Sequence, residues 1–273
     1  MKYKKKLVVT LASIAALALT ACGGQTEQAE NEIQVIASPV PHTEILEVAK
    51  PLLKEQGYDL KITIVNDYQT PNRIVAEGYA DANYFQHSPY LELFTTENQL
   101  DLVSVGNVHL EPMAVYSKKY QSLADLPDNA VVYASTSVAD IGRCIDFFVK
   151  EGLMEVREGV TPVDARLEDV IANPKQIQIK PEIAPEFLVT TYNQAEGDAV
   201  IINANFAIDA GLSPTKDAIA VESSHSPYAN LVAVRPEDVE KAKIKALINV
   251  LQSDEIKEFI QDSYPDGAIL PAE

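Results

Sequence analysis

Cysteine is scarce in this chain of 273 residues, and the two that occur are Cys22 and Cys144. Cys22 directly follows the apolar N-terminal segment, so the folded part of the chain retains a single thiol. An internal disulfide is therefore excluded. We interpret Cys144 as a small buried hydrophobic residue, because free cysteine is among the most often buried side chains.

Basic residues are also few. Lysine and arginine number 22 against 40 aspartates and glutamates, which gives a formal net charge of -18 at pH 7. The first 21 residues contain four lysines and no acidic residue, so the chain beyond them carries -22. A surface this negative repels phosphate backbones and anionic lipid head groups. The composition therefore argues against a nucleic-acid partner and against a protein that lies flat on a membrane.

The local motifs of several enzyme classes are missing as well. The chain contains no Gly-x-Ser-x-Gly elbow, no P-loop, no Gly-x-Gly-x-x-Gly and no His-Glu-x-x-His. These motifs place nucleophiles, phosphate-binding backbone groups or metal ligands in enzymes. Their absence argues against catalysis and favours a binding protein.

The N-terminus has the pattern of a secretion signal. Four lysines at positions 2–6 precede an apolar run, Leu7–Leu19, which is too short to span a bilayer. The run ends in Leu19-Thr-Ala-Cys22, which resembles a lipobox. Residues 1–21 are therefore predicted to be a lipoprotein signal peptide, with Cys22 as the lipidated mature N-terminus. Cleavage at an ordinary small-residue site is the alternative.

Residues 22–31 are polar and poor in apolar side chains, so they are predicted to form a flexible tether. A cysteine carrying more than one acyl chain, such as palmitate, would hold the protein stably on a membrane. The predicted location is the extracytoplasmic side of the cell membrane.

The chain after the tether alternates strands and helices. Three early strands are predicted at Ile33–Ala37, Leu60–Val65 and Ala82–Phe85. Helices are predicted between them, which is a βαβ order and indicates a parallel sheet. Ligands bind such sheets at the carboxyl ends of the strands. The segments expected to meet there follow the three strands: Ser38–His42, Asp67–Asn72 and Phe85–Tyr90.

The same order restarts near residue 130 and predicts a second α/β unit. Its strands are predicted at Ala130–Ala134, Ile177–Ile179 and Ala199–Ile202. Apolar periodicity predicts helices in the second half of the chain at Asp140–Glu151, Leu167–Ala172, Glu186–Tyr192, Pro236–Gln252 and Glu255–Ser263. Two successive units indicate two lobes, with the C-terminal portion returning to the first.

The stretch Asp81–Tyr90 combines three aromatic residues with amides and a histidine. Aromatic rings offer wide apolar contact, and amide and imidazole groups give direction, a mixture typical of small-molecule pockets. Ordinary core packing is the alternative. The position of this stretch, which includes a predicted parallel strand and the segment after it, favours a pocket.

Taken together, several segments resemble the methionine-binding lipoproteins that serve ABC importers. The matching segments are Pro41–Leu46, Asp67–Asn72, Asp81–Tyr90, Leu102–Met113, Tyr116–Lys119, Gly142-Arg143, Ala199–Asn203 and Glu222–Tyr228. The resemblance implies an α/β, two-lobed periplasmic-binding-protein fold of type II with a cleft between the lobes. It also implies a monomer without cofactor or catalysis, which captures an amino acid, methionine, and delivers it to a permease. The implied lobes are residues 32–113 with 230–273, and residues 114–229.

The resemblance also implies the site residues. It makes Tyr68, Phe85, His87 and Tyr90 the wall around the ligand side chain. Arg143 matches the arginine that pairs with the ligand α-carboxylate, a contact that suits the two parallel donors of a guanidinium. Asn203 and Asn230 match asparagines that hold the polar end of the ligand.

The segment before Arg143 departs from the family pattern. Asp140 stands where asparagine is usual, and Ile141 replaces a glutamate. The Asp140 carboxylate could meet the ligand ammonium, pair with Arg143, or cap the following helix.

Two other functions remain open at this stage. The four histidines, His42, His87, His109 and His225, could ligate zinc, although none belongs to a close His or Cys pair. The sequence therefore predicts no metal site, and we interpret Glu111 as a hinge or lip residue. A lipid-anchored surface adhesin or antigen without a transport role is the other alternative.

Overall fold

The computed structural model describes residues 30–223 and 228–272. Within them the chain forms thirteen strands. The strands are β1 (Glu32–Ala37), β2 (Asp59–Ile64), β3 (Ala82–His87), β4 (Val103–Leu110), β5 (Ala114–Tyr116), β6 (Val131–Ser135), β7 (Glu155–Val156), β8 (Val170–Ala172), β9 (Gln178–Ile183), β10 (Ala199–Ile202), β11 (Ala220–Val221), β12 (Ala229–Val234) and β13 (Leu270–Pro271).

Eight α-helices connect these strands in the described residues. The helices are α1 (Glu44–Glu55), α2 (Thr70–Ala76), α3 (Ser88–Asn98), α4 (Ile141–Lys150), α5 (Leu188–Asn193), α6 (Ala204–Asp209), α7 (Ala242–Leu251) and α8 (Asp254–Ser263). Short 3₁₀ turns precede several of them, at Val138–Asp140, Pro185–Phe187 and Pro236–Asp238.

The first sheet has six strands in the order β13-β4-β12-β3-β1-β2. Strand β1 is parallel to both β2 and β3, as the βαβ order predicts. Strand β12 pairs antiparallel with β3 and β4, so the sheet is mixed rather than parallel. The difference arises because β12 enters the sheet from a segment more than 100 residues beyond β3, and local periodicity carries no information on its direction.

The second sheet has five strands in the order β11-β5-β10-β6-β9. Strand β6 lies parallel to β9 and β10, and β5 pairs antiparallel with β10. The carboxyl ends of β6 and β10 therefore lie at one edge, where the next segments begin at Thr136 and Asn203.

Each sheet has its own apolar core. The first sheet packs against α1, α7 and α8 through buried aliphatic residues that include Leu46, Leu247 and Ile256. The second packs against α4 through Ile145 and Phe148. Complete burial of one such side chain contributes about 1.5–3 kcal/mol, so these helices hold the sheets in place.

Some predicted elements differ from the structure. The helix predicted at Leu167–Ala172 is wrong: only Leu167–Asp169 forms a 3₁₀ turn, and Val170–Ala172 is β8, paired with β7. Its β-branched Val170 and Ile171 suit a strand. The helix predicted from Pro236 begins only at Ala242, after a 3₁₀ turn. The six-residue helix α6 was not predicted, since six residues carry little periodicity.

The predicted signal peptide, the lipidation site Cys22 and most of the predicted tether lie outside the described residues, as does His225. No helix in the described part of the chain is long and apolar enough to cross a bilayer.

Candidate ligand-binding site

A narrow cavity of about 20 Å³ lies between segments of both sheets. Its walls follow strand ends: His87 ends β3, Asp140 follows β6, and Asn203 follows β10. The structure brings all eight of the sequence-predicted site residues to this cavity. The complete lining is Tyr68, Phe85, Gln86, His87, Tyr90, Glu111, Asp140, Arg143, Asn203, Ala204 and Asn230.

Three aromatic rings form one wall of the cavity. The ring centroids of Tyr68, Phe85 and Tyr90 are each 5.9 Å from the other two, within the range of favourable edge and tilted contacts. Tyr68 is positioned by Asp67, whose Oδ1 accepts two backbone N–H groups at the start of α2. The Tyr90 hydroxyl donates to the Tyr68 carbonyl at 2.7 Å, which fixes both residues.

Tyr68 also reaches across the cavity to the segment that follows β10. Its hydroxyl donates to Oδ1 of Asn205 at 2.7 Å, and its ring lies 5.4 Å from that of Phe206. Both partners belong to α6, which the sequence did not predict. These contacts join the two sides of the cavity.

His87 stands where β3 ends and α3 begins, because Pro89 in the first turn suits a helix start and cannot continue a strand. Its Nδ1 accepts the backbone N–H of Tyr90 at 3.2 Å. Its Nε2 therefore carries the ring proton and donates to Oδ1 of Asp140 at 3.1 Å. This hydrogen bond spans the cavity from the first sheet to the second.

Arg143, in the first turn of α4, is only 5% exposed. Its Nε donates to Oε1 of Glu222 at 3.1 Å, and its Nη2 donates to the other oxygen of that carboxylate and to the Glu111 carbonyl. Its Nη1 donates to Oδ1 of Asp140 at 3.2 Å. The guanidinium carbon also lies 4.3 Å from the Tyr228 ring centroid, a cation–π distance. Burial disfavours the cation, yet Glu222 and Asp140 hold the pKa of Arg143 above its usual value.

Asp140 lies at the centre of the polar end of the cavity and is 1% exposed. Besides His87 and Arg143, it accepts a hydrogen bond from Nδ2 of Asn203 at 3.3 Å. Burial alone would raise its pKa, but the hydrogen bond from His87 and the charge of Arg143 hold it well below the usual range. The possibility that Asp140 caps α4 is wrong, because its side chain makes no capping hydrogen bond.

The two predicted asparagines occupy different sides of the cavity. Asn203 precedes α6 in an extended conformation, and its buried Oδ1 has no hydrogen-bond partner among the described residues. Asn230, on β12, lies opposite His87 in the sheet register, and its Oδ1 is 3.0 Å from Nε2 of His42. An unpartnered buried acceptor at the cavity wall can receive a donor from a ligand.

Beside the cavity lies a buried network that the sequence did not predict. Nε2 of His109 is 2.8 Å and Nε2 of His42 is 3.4 Å from Oε1 of Glu111. The Tyr84 hydroxyl contacts Nδ1 of His109. Burial lowers the pKa of His42 to about 4 and that of His109 to about 3, and it raises the pKa of Glu111.

These two histidines and Glu111 offer three atoms within 4.8 Å of one another, the spacing that a metal ion would need. Nε2 of His109, however, is hydrogen-bonded to Oε1 of Glu111, and Nε2 of His42 is hydrogen-bonded to Oδ1 of Asn230, so hydrogen bonding already accounts for the arrangement. Glu111 lines the cavity and lies between β4 of the first sheet and β5 of the second, so the hinge or lip role that we expected stays a prediction. Its place in the matching segment Leu102–Met113 was the available sequence signal.

Other contacts were also missed. Gln86 lines the cavity and is held by a buried amide network with Asn72 and Asn83. It lies within the Asp81–Tyr90 stretch, where alternation alone does not show which side chains face a ligand. Glu222, the partner of Arg143, lies in a segment quoted for the resemblance but offers no local pattern that predicts its role.

An enclosed cavity between two α/β units, with an aromatic wall and a charged end, defines the class of two-lobed solute-binding proteins. The comparisons agree. The family model described as NlpA lipoprotein matches residues 33–273, and the chain belongs to that family. It is 47% identical to the methionine-binding lipoprotein MetQ of Bacillus subtilis over 98% of both chains.

Solved structures of related proteins support the same family and fold. A lipoprotein from Bacillus subtilis superposes with a TM-score of 0.87 at 48% identity, covering 90% of this chain and 99% of the other. A nutrient-binding protein from Burkholderia cenocepacia, bound to methionine, gives a TM-score of 0.82 at 36% identity over 88% and 100%. The two-lobed periplasmic-binding fold is therefore confirmed, and the relatives are substrate-binding lipoproteins rather than enzymes.

Proposed function

We propose that this protein is a membrane-anchored solute-binding lipoprotein that captures methionine and delivers it to the permease of an ABC importer. The observation that carries the proposal is the cavity, which has an aromatic wall at one end and paired charges at the other. The names of the relatives, which bind methionine, support the same ligand.

The aromatic end suits a thioether side chain. Sulfur makes favourable contacts with aromatic rings at about 5 Å, and the unbranched methionine chain adapts to an irregular pocket. Tyr68, Phe85 and Tyr90 present three ring surfaces to such a side chain. The hydroxyl groups of Tyr68 and Tyr90 donate to Asn205 and to the Tyr68 carbonyl, which leaves the apolar ring surfaces for contact.

The polar end suits the backbone of an amino acid. Arg143 and His87 supply donors for a carboxylate, while Asp140 and the free Oδ1 of Asn203 supply acceptors for an ammonium. A zwitterion needs both kinds of partner when water is excluded, because an unpaired buried charge costs several kcal/mol. Asn230 borders the same end of the cavity.

The proposed lobes are residues 32–113 with 230–273, and residues 114–229. The strand memberships of the two sheets support these boundaries, since β1–β4, β12 and β13 share one sheet and β5, β6 and β9–β11 share the other. The chain then crosses between lobes twice. Such a pair of crossings allows hinge closure around a ligand.

The proposed attachment uses the lipidated Cys22, with residues 1–21 removed and residues 22–31 as the tether on the extracytoplasmic side. The lipobox pattern and membership of a lipoprotein family support it. An anchored, monomeric binding protein stays near its permease while its tether lets it diffuse locally.

Calorimetric titration tests the proposal. The chain from residue 23 onward is unfolded and refolded to remove co-purified ligand, and L- and D-methionine are then titrated into it, with leucine and glutamate as controls. We expect saturable one-to-one binding of methionine. Titration of Zn²⁺ alone tests the metal-binding alternative. A folded protein that binds no amino acid would contradict the proposal and favour an adhesin or antigen role.

A further inference from the structure

A buried histidine stands behind one of the asparagines that line the cavity. His42 lies in the short turn Pro39–Thr43 after β1 and is completely buried. Its Nε2 is 3.0 Å from Oδ1 of Asn230 on β12, although the two residues are 188 positions apart in the chain. The ring lies edge-on to the rings of Tyr84 and His109, at centroid distances of 4.7 and 4.8 Å. The imidazole is therefore held in one place beside Asn230.

The surroundings of His42 decide which of its ring nitrogens carries the proton. Burial lowers the pKa of His42 to about 4, so the ring is neutral at pH 7 and holds a single N–H. Its Nε2 faces two oxygen atoms, Oδ1 of Asn230 at 3.0 Å and Oε1 of Glu111 at 3.4 Å. A carboxylate only accepts hydrogen bonds, so a lone pair on Nε2 would face another acceptor. The arrangement therefore favours the proton on Nε2.

This proton sets the orientation of the Asn230 amide. An asparagine amide has one accepting end, Oδ1, and one donating end, Nδ2. Because His42 donates to Oδ1, the Nδ2 end is turned away from the histidine. Asn230 also lines the cavity, and in the sheet register it lies opposite His87 at the polar end. The donating end of the amide is therefore the one left for a ligand.

We infer that His42 is a positioning residue for ligand recognition: it holds Asn230 so that Nδ2 donates to the α-carboxylate of the ligand beside Arg143. His42 is not among the residues that line the cavity, so it acts through Asn230 alone. A donor that is already oriented loses no rotational freedom when the ligand binds, which strengthens binding. A flipped amide would present an oxygen to the carboxylate and repel it. This inference rests on the proposed function and adds a residue to it.

A double-mutant cycle tests this role by calorimetric titration of L-methionine. His42→Met removes the donor, whereas His42→Gln keeps an amide N–H on a side chain of similar length. We expect His42→Met to weaken binding by about tenfold, roughly the contribution of one hydrogen bond, and His42→Gln to recover most of this loss. In the Asn230→Ala background, His42→Met should change the dissociation constant by less than about threefold, because the residue through which it acts is gone.

Equal losses in the two backgrounds, or equal losses in His42→Met and His42→Gln, would show a merely structural role and overturn the inference. They would leave the proposed function intact, provided that the wild type binds methionine. A folded wild type that binds no methionine would overturn both.

Nitrogen-15 NMR of the wild-type protein, labelled at its histidines, gives a second test that does not depend on the folding of any variant. The chemical shifts of the two ring nitrogens show which of them is protonated. We expect the proton of His42 on Nε2 at pH 7. A proton on Nδ1 would overturn the inference, because Nε2 could then not donate to Asn230.

Discussion

Arg143 is the residue on which the charged end of the cavity depends. It is the cation shared by Asp140 and Glu222, and it rests on the ring of Tyr228. Its four donated hydrogen bonds hold the start of α4 against the segments that contain Glu111 and Glu222. Removing it would take the guanidinium away from the buried carboxylate of Asp140 and from Glu222.

We predict that Arg143→Ala lowers the free energy of unfolding by about 3–5 kcal/mol and abolishes measurable methionine binding, because breaking a buried ion pair leaves an uncompensated charge. Arg143→Lys is the matched variant: it keeps the charge but loses the forked contact with Glu222, so binding should weaken and folding should survive. Denaturant unfolding and calorimetry measure the two effects. Methionine binding retained in Arg143→Ala would contradict the assigned role.

His42 and His109 make stability depend on pH. Their pKa values are lowered in the folded state to about 4 and about 3, whereas the unfolded chain takes up protons near pH 6.5. Between pH 6.5 and 4 the unfolded state therefore binds more protons, so folding stability falls as pH falls. Glu111 acts in the opposite direction within the same range, because burial raises its pKa and the folded state then binds the extra proton.

We predict that the free energy of unfolding decreases between pH 6.5 and pH 5 by about 1.4 kcal/mol per pH unit for each of the two histidines. Replacing one of them, in His109→Gln, should remove about half of this slope, although the variant also loses the contact with Glu111. Urea unfolding at a series of pH values measures the slope. An equal slope in wild type and His109→Gln would show that this histidine does not stay neutral in the fold.

Among the elements, α4 determines where Asp140 and Arg143 stand. The helix begins at Ile141, directly after the 3₁₀ turn Val138–Asp140. Its second residue is Gly142, where an added Cβ would lie 1.8 Å from the carbonyl oxygen of Pro162. The close approach of backbone to backbone therefore requires a residue without a side chain.

We predict that Gly142→Ala destabilises the protein by at least about 1–3 kcal/mol, the usual cost of overpacking, and weakens ligand binding because α4 must move. Gly106→Ala is the control: the atoms nearest to its Cβ would belong to the side chains of Gln252 and Ile248, which shift more easily than backbone. Thermal unfolding of both variants measures the difference between their melting temperatures. Equal melting temperatures for the two would contradict the packing argument.

At the scale of the whole molecule, the two sheets enclose the cavity, and the proposed signal peptide and tether precede them. Contacts between the halves include His87 with Asp140 and Tyr68 with Asn205. Tyr68 also lies against the ring of Phe206, so both polar and aromatic contacts join the halves.

We predict that Cys22→Ala leaves the protein unlipidated, so that it is shed or retained as a precursor, because acyl chains supply the membrane affinity. Cell fractionation followed by a high-salt wash measures this. Cys144→Ala is the control, since its thiol is buried in the core and should leave the membrane fraction unchanged. Persistence of Cys22→Ala in the washed membranes would contradict the lipobox interpretation.

The sequence by itself determined the α/β class, the two units and most of the early strands and helices. Period-two and helical patterns are local, and they are strong where a strand or helix buries one face. The resemblance placed eight residues that the structure gathers around one cavity. The 3₁₀ turn and strand at Leu167–Ala172 were predicted as a helix, because a short apolar run fits either a helix or a strand.

Tertiary structure decided what no local pattern contains. The direction of β12, the closure of the cavity by α6 and the pairing of Arg143 with Glu222 all join residues far apart in the chain. Tertiary structure also decided the partners of Asp140. The sequence allowed its carboxylate to meet the ligand ammonium, to pair with Arg143 or to cap the helix. In the fold it accepts hydrogen bonds from Arg143, His87 and Asn203. Burial then fixed its charge, because a carboxylate removed from water stays ionised only where several donors converge on it.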